Sequence, residues 1–140
     1  MVLRRQQQIL LVEDDEDALG ATTAMLERLG YGVEGTKLSL EALRIFSEEP
    51  QRFDLALLDH GMPDLAGTQL AWHLRRIRPG LPVVLYTGYL DTPSGEQLEA
   101  AIGGRILFKP ATLGELADVI REALGEWAKS NPGHGPSAIP

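Results

Sequence analysis

Short apolar runs, each closed on its carboxyl side by a polar residue, dominate this chain: "ILLV" at 9–12, "LALL" at 55–58, "VVLY" at 83–86 and the shorter "ILF" at 106–108. A run of this length with no polar alternation is the pattern of a strand covered on both faces, as in a parallel sheet flanked by helices. The stretch "YGVEGT" at 31–36 carries two glycines and fits a less covered strand.

Between the runs the apolar period becomes helical. Ala18, Thr22, Met25, Leu26 and Leu29 share one face, with Gly30 as a stop; Leu70, Ala71, Leu74 and Ile77 form a second stripe, ended by Pro79 and Gly80. Residues 39–48 predict a helix carrying Ala42, Leu43 and Phe46 inward before Pro50. Thr112 and Glu115 make a Thr-x-x-Glu capping box ahead of Leu116, Val119, Ile120, Ala123, Leu124 and Trp127 at helical spacing. Residues 93–102 offer only Leu98, Ala101 and Ile102 as a face and include Pro93 and Gly95, so the helix predicted there is short and mobile.

Strand and helix thus alternate five times, which implies a parallel sheet with helices on both sides. A chain of 140 residues accommodates one such domain with short tails. The last segment, "KSNPGHGPSAIP", has little to bury and is expected to be disordered. A formal net charge of −7 argues against a nucleic-acid surface, which needs clustered Lys and Arg. With no cysteine, disulfides and thiolate metal sites are excluded. The run "ILLV" is too short for a signal-peptide core or a membrane span, so a soluble cytoplasmic protein is expected.

Ligands of open parallel sheets bind beyond the carboxyl ends of the strands, so the residues that close the runs carry the functional argument. After "ILLV" come Glu13, Asp14 and Asp15; after "LALL", Asp59; after "VVLY", Thr87; after "ILF", Lys109. Any one of them alone reads as an ordinary polar residue closing a strand. Together they bring carboxylates, a hydroxyl and an ammonium to one edge. Carboxylates this close repel unless a cation or proton intervenes, and a few oxygen ligands with open positions suit Mg²⁺.

At this point the sequence resembles the receiver (phosphoacceptor) domains of two-component signalling, through "ILLVEDD", "LALLDHGMPDLAG", "VVLYTG" and "ILFKP", in that order, across roughly residues 8–127. The resemblance implies a flavodoxin-like three-layer α/β sandwich, (βα)5, with a five-stranded parallel sheet in the order 2-1-3-4-5. It implies a receiver domain over 8–128, with 1–7 and 129–140 as flexible tails. By that pattern Asp14 holds Mg²⁺ directly and Glu13 through water, Asp59 accepts the phosphoryl group, and the backbone carbonyl of Gly61 completes the metal site. Thr87 and Lys109 match the residues that bind phosphoryl oxygens, and Pro110 matches a proline preceded by a cis peptide. Gly61 and Tyr89, each two residues beyond a site residue, would tune hydrolysis.

The implied function is phosphorelay signalling, with phosphate taken from a phosphohistidine of a sensor kinase or a phosphotransfer protein in a Mg²⁺-dependent reaction. The phosphate state would switch a downstream protein partner, without direct DNA binding, membrane attachment or an output domain. No independent enzyme class is implied beyond the domain's own Asp phosphorylation and dephosphorylation. The face built by the fourth helix, fifth strand and fifth helix would serve for switching and for any dimer. The chain reads equally as a stand-alone regulator or as a module of a hybrid histidine kinase. Two alternatives are weighed against this. A phosphohydrolase of the haloacid dehalogenase kind needs an acid two residues after its nucleophile, where Gly61 stands; a receiver-like module that never takes phosphate would not need the full acidic set.

Other polar residues carry blander readings. Asp15, Glu16 and Asp17 fall where a helix begins and read as capping or solvated. His60 reads as an exposed modulator rather than a base, and His73 and His134 as surface residues without metal-ligand spacing. Where many receivers have an aromatic residue three positions before the lysine, this chain has Ile106, so the aromatic read-out is not expected.

Overall fold

The computed structural model describes residues 5–88 and 105–130. Within them the order is β1 (Gln8–Val12), α1 (Glu16–Arg28), β2 (Gly32–Thr36), α2 (Ser39–Glu48), β3 (Leu55–Leu58), α3 (Gly67–Ile77), β4 (Val83–Thr87), β5 (Ile106–Phe108) and α4 (Leu113–Ser130). The strands form one parallel sheet in the order β2-β1-β3-β4-β5, with Val12 beside Leu58, Leu58 beside Leu85 and Thr87 beside Phe108. The expected helix over 93–102, and with it Tyr89, lies outside the described residues, as do His134 and the expected disordered segment beyond Ser130.

The unbroken apolar runs are explained by two cores, one on each face. Leu10, Val12, Ala56, Leu58, Val83 and Leu85 pack with Ala42 and Phe46 of α2 and Leu70, Ala71 and Leu74 of α3. The alternate residues Ile9, Leu11, Leu55, Leu57, Val84 and Tyr86 pack with Leu26 of α1 and Leu116, Ile120, Ala123 and Leu124 of α4. Successive side chains of a strand point to opposite faces, so a strand buried on both sides has no position for a polar residue until it ends. Gly30 and Gly80 adopt φ of 99° and 88°, closing α1 and the α3–β4 turn in a region open to glycine.

One apolar position departs from its spacing. Ile77, placed on the inward stripe of α3, is 40% exposed. The foot of that helix is closed instead by Arg78, whose guanidinium donates to the carbonyls of Pro50 and Phe53, while Arg75 Nε donates to Leu81 O. At the same end of the sheet, Asp54 accepts from the two terminal nitrogens of the Arg5 guanidinium, Nη1 and Nη2, and from Gln8 N, tying the entry of β1 to that of β3. Among the described residues no helix is long and apolar enough to cross a membrane.

Candidate phosphoacceptor site

Strand order reverses between β1, which is followed by β2 on one side, and β3 on the other. The crevice that such a reversal opens lies beyond Val12 and Leu58, which are register partners. Glu13 N donates to Thr36 O and Asp59 N to Val12 O, so the sheet ladder runs on by one residue and sets the two acids side by side. Glu13 is buried at 3% exposure and Asp59 at 9%, whereas Asp14 is exposed.

Four groups converge on these carboxylates. Thr87, fully buried at the end of β4, donates its hydroxyl to Asp59 Oδ1 at 2.9 Å, and Gly61 N donates to the same oxygen at 3.0 Å. Lys109 follows β5, where its N–H bonds Thr87 O at 2.9 Å. Its ammonium donates to Asp59 Oδ2 at 3.1 Å and forms an ion pair with Glu13, with the Tyr86 ring 5.4 Å away. Asp15 N reaches the other Glu13 oxygen, Oε2, at 3.2 Å. The Lys109–Pro110 peptide is cis, as the resemblance implies.

The charges respond to these neighbours in opposite directions. Burial pushes the Glu13 carboxyl up, and the nearby Asp59 charge adds to this, against the opposing pull of Lys109 and Asp15 N. For Asp59, burial acts upward too, but the donors on Gly61, Lys109 and Thr87 outweigh it and hold the carboxyl below its ordinary value. Burial would lower the Lys109 ammonium; its bonds to Glu13 and Asp59 raise it instead.

Oxygen atoms from Glu13, Asp14 and Asp59 lie within 4.8 Å of one another. Three carboxylates against one ammonium leave this cluster two negative charges in excess when all are ionised. Hard oxygen donors with that excess, one of them exposed, fit a divalent cation that keeps part of its water shell.

The loop from Asp59 into α3 is shaped to hold this arrangement. Met62 is buried in the core and its N–H bonds His60 O; Gly67 N bonds the same carbonyl at 3.2 Å. A Cβ on Gly67 would stand 2.5 Å from the Asp59 carbonyl oxygen, so the helix approaches the Asp59 backbone more closely than any side chain permits. His60 itself is half-buried and turns to Thr68, its Nδ1 lying 3.5 Å from the hydroxyl oxygen rather than on the acidic cluster. Asp15, Glu16 and Asp17 are exposed; Asp15, at the N-cap of α1, makes no side-chain cap bond, and Glu16 lies 3.8 Å from the Lys37 ammonium. His73 sits edge-on to Trp72 on α3.

The profile of the response regulator receiver domain family matches residues 9–121. The chain belongs to the response regulator receiver family. It is 33% identical over 116 residues to the response regulator receiver protein CpdR of Brucella abortus (strain 2308), an alignment covering 83% of this chain and 95% of that protein. It is also 30% identical over 116 residues to the sensor kinase CckA of the same organism, where the matched part spans 83% of this chain and only 12% of the kinase. Among solved structures, the receiver domain of the sensor histidine kinase PA1611 from Pseudomonas aeruginosa PAO1, which has a magnesium ion in its active-site cleft, superposes with a TM-score of 0.75 at 29% identity, covering 86% of this chain and 99% of that one. The receiver fold and the place of the domain in two-component phosphorelay signalling follow from this membership, and neither alternative function is favoured by it.

The strand-end residues Glu13, Asp59, Thr87 and Lys109 meet in one cluster, with Asp14 at its rim and Gly61 N on Asp59. Beside this cluster, Asp64 and Ser39 join the loop that follows Asp59 to α2. Ser39 N and Leu40 N donate to the two Asp64 oxygens at 3.1 and 2.9 Å, an arrangement between segments more than 20 residues apart that no local pattern announces.

Proposed function

We propose that Asp59 is the phosphoacceptor of this receiver domain. The observation that carries the reading is that three donors, Thr87 Oγ1, Gly61 N and Lys109 Nζ, already converge on its two oxygens, at 2.9, 3.0 and 3.1 Å. The depressed carboxyl keeps Asp59 anionic at neutral pH, as a nucleophile must be. In the reaction an Asp59 oxygen bonds to phosphorus as the P–N bond to a donor histidine breaks, and the electron pair stays on the imidazole nitrogen. Thr87 and Lys109 then turn their donors from the carboxylate to the phosphoryl oxygens, whose charge they offset. Glu13, Asp14, Asp59 and the Gly61 carbonyl would hold Mg²⁺, which when bound supplies positive charge to the phosphoryl oxygens and aligns them for in-line transfer.

The donor in this reading is a histidine kinase or a histidine phosphotransfer protein, and the phosphorylated domain changes its contact with a downstream protein in the cytoplasm. The functional unit is 8–128. A dehalogenase-type phosphohydrolase lacks support because Gly61 supplies no acid at the required position. The test is intact-mass spectrometry after incubation with acetyl phosphate and Mg²⁺. Wild type should gain one phosphoryl group and Asp59→Asn none; a phosphoryl group retained in Asp59→Asn overturns the assignment.

A further inference from the structure

The first turn of α2 has no cap of its own. Leu38 occupies the N-cap position and offers no side-chain acceptor, so the leading N–H groups of the helix need a partner from elsewhere. Asp64 provides it: Oδ1 accepts from Ser39 N at 3.1 Å and Oδ2 from Leu40 N at 2.9 Å. A second bond closes the same joint from the other side, as Ser39 Oγ, fully buried, donates to Leu65 O at 2.7 Å. The carboxylate also lies at the positive end of the α2 dipole. These bonds and those of its own loop hold the Asp64 carboxyl below its ordinary value against the effect of burial.

Asp64 belongs to the loop that begins with Asp59 and Gly61. At its near end that loop is pinned by Gly67 N and Met62 N on His60 O. At its far end the pins are the buried Met62 side chain and the Asp64–α2 joint. Among the described residues, 63–65 are joined to the body of the protein by the Asp64 bonds to Ser39 N and Leu40 N, the Ser39 Oγ bond to Leu65 O and the packing of the half-buried Leu65 side chain on the core.

We propose that Asp64 is a positioning residue for the Asp59 reaction, fixing the 59–66 loop against the first turn of α2 so that the Asp59 carboxylate and the Gly61 backbone keep their places. The inference rests on the phosphoacceptor reading of Asp59. Its physical basis is the sensitivity of in-line transfer to placement, since a shift of about 1 Å can cost about a hundredfold in rate. An ordinary helix cap would stabilise α2 and leave the reaction alone. A joint that holds the loop changes both.

The experiment compares wild type, Asp64→Ala, Asp64→Asn and Ile120→Val. The last removes a buried methylene from α4 on the opposite face of the sheet and so lowers stability without touching the loop. Two quantities are read well below every melting temperature: the initial rate of Asp59 labelling by acetyl phosphate with Mg²⁺, and amide exchange at Met62, Gly67, Ser39 and Leu40 in unlabelled protein. In Asp64→Ala, labelling should slow by about tenfold or more and all four amides should lose protection. Asp64→Asn, whose amide oxygen still accepts from the helix, should recover most of both, and Ile120→Val should label at the wild-type rate. Wild-type labelling in Asp64→Ala, unchanged Met62 and Gly67 protection, or equal slowing in Ile120→Val overturns the proposal. Failure of wild type itself to label would overturn the phosphoacceptor reading instead, and the exchange pattern would then decide alone whether Asp64 holds the loop.

Discussion

Lys109 donates to Asp59 Oδ2 at 3.1 Å while the same ammonium is paired with Glu13, so one cation serves two buried carboxylates. The sharing is unequal in its consequences. Asp59 has two further donors, Thr87 and Gly61, and its carboxyl is depressed; among the described residues Glu13 has Asp15 N alone besides the lysine, and its carboxyl is pushed up by burial.

The sign of the pH dependence follows. A carboxyl with a raised folded-state value binds its proton more tightly in the folded than in the unfolded chain, so Glu13 makes stability fall as pH rises from the ordinary carboxylate range through that raised value. Asp59 acts the other way: its contribution is in place above the ordinary carboxylate range and is lost as pH falls through the depressed value. Glu13→Gln keeps an oxygen for Lys109 and removes the unfavourable charge. Without Mg²⁺ this variant should therefore melt higher than wild type at neutral pH, with the difference growing as pH rises through the Glu13 titration. Thermal melts across the acid-to-neutral range check it, and a lower melting temperature for the variant throughout would contradict this charge balance.

Mg²⁺ should stabilise the protein through the carboxylate cluster in which Asp14 is the exposed member. At a concentration about tenfold above the dissociation constant, the gain is about 1.4 kcal/mol. Asp14→Ala removes the exposed carboxylate from the rim without opening the core, so its melting temperature in chelator should stay near that of wild type while its response to Mg²⁺ is lost. An equal response in both proteins would place the ion elsewhere.

Gly67 illustrates a constraint on the site that comes from backbone rather than side chains. In Gly67→Ala the new methyl would meet Asp59 O at 2.5 Å and Leu85 Cδ1 at 2.8 Å, and the carbonyl cannot rotate away as a flexible side chain could. Overpacking of this kind costs about 1–3 kcal/mol. Because the clash is with Asp59, the proposed acceptor, labelling by acetyl phosphate should fall as well, measured below the variant's melting temperature. Unchanged melting and labelling would mean that the α3 entry yields more easily than its contacts suggest.

The parts of this structure that were legible in sequence are those where one residue's environment is set by its near neighbours. A run such as "LALL" is buried on both faces because it pairs in the centre of a sheet, and the acid that ends it must lie at the strand's open end. The bounds of α2, 39–48, and the Thr112–Glu115 capping box follow from local patterns, and both bonds of that box are present, at 3.1 and 2.8 Å. Ile77 was misplaced because periodicity extends a stripe to the end of a helix, whereas packing there depends on what else reaches the same space, in this case Arg78. Asp64 was missed for a related reason: it caps a helix it does not adjoin, and only the folded loop brings it there.

Ile106 is the position at which this chain departs from receivers with an aromatic residue before the lysine. It is half-buried, packed at the edge of the core that contains Leu58, Leu85 and Val83, while Leu107 faces the other core. Full burial would make Ile106→Ala cost about 2–5 kcal/mol; partial burial reduces the expected loss to about 1–2 kcal/mol on the same scale. The site donors lie elsewhere, and Thr87 already bonds Asp59 before any phosphoryl group is present, so labelling should be nearly unaffected. With no ring to exchange between buried and exposed positions, the response to phosphate should run through Thr87 and the backbone bond from Lys109 N to Thr87 O. Amide exchange with and without a beryllofluoride mimic should therefore change at 87–88 and 105–112 to a similar extent in wild type and Ile106→Ala. Loss of the response in the variant alone would make Ile106 part of the switch, and no response in wild type would mean that the phosphate signal leaves the domain by another face.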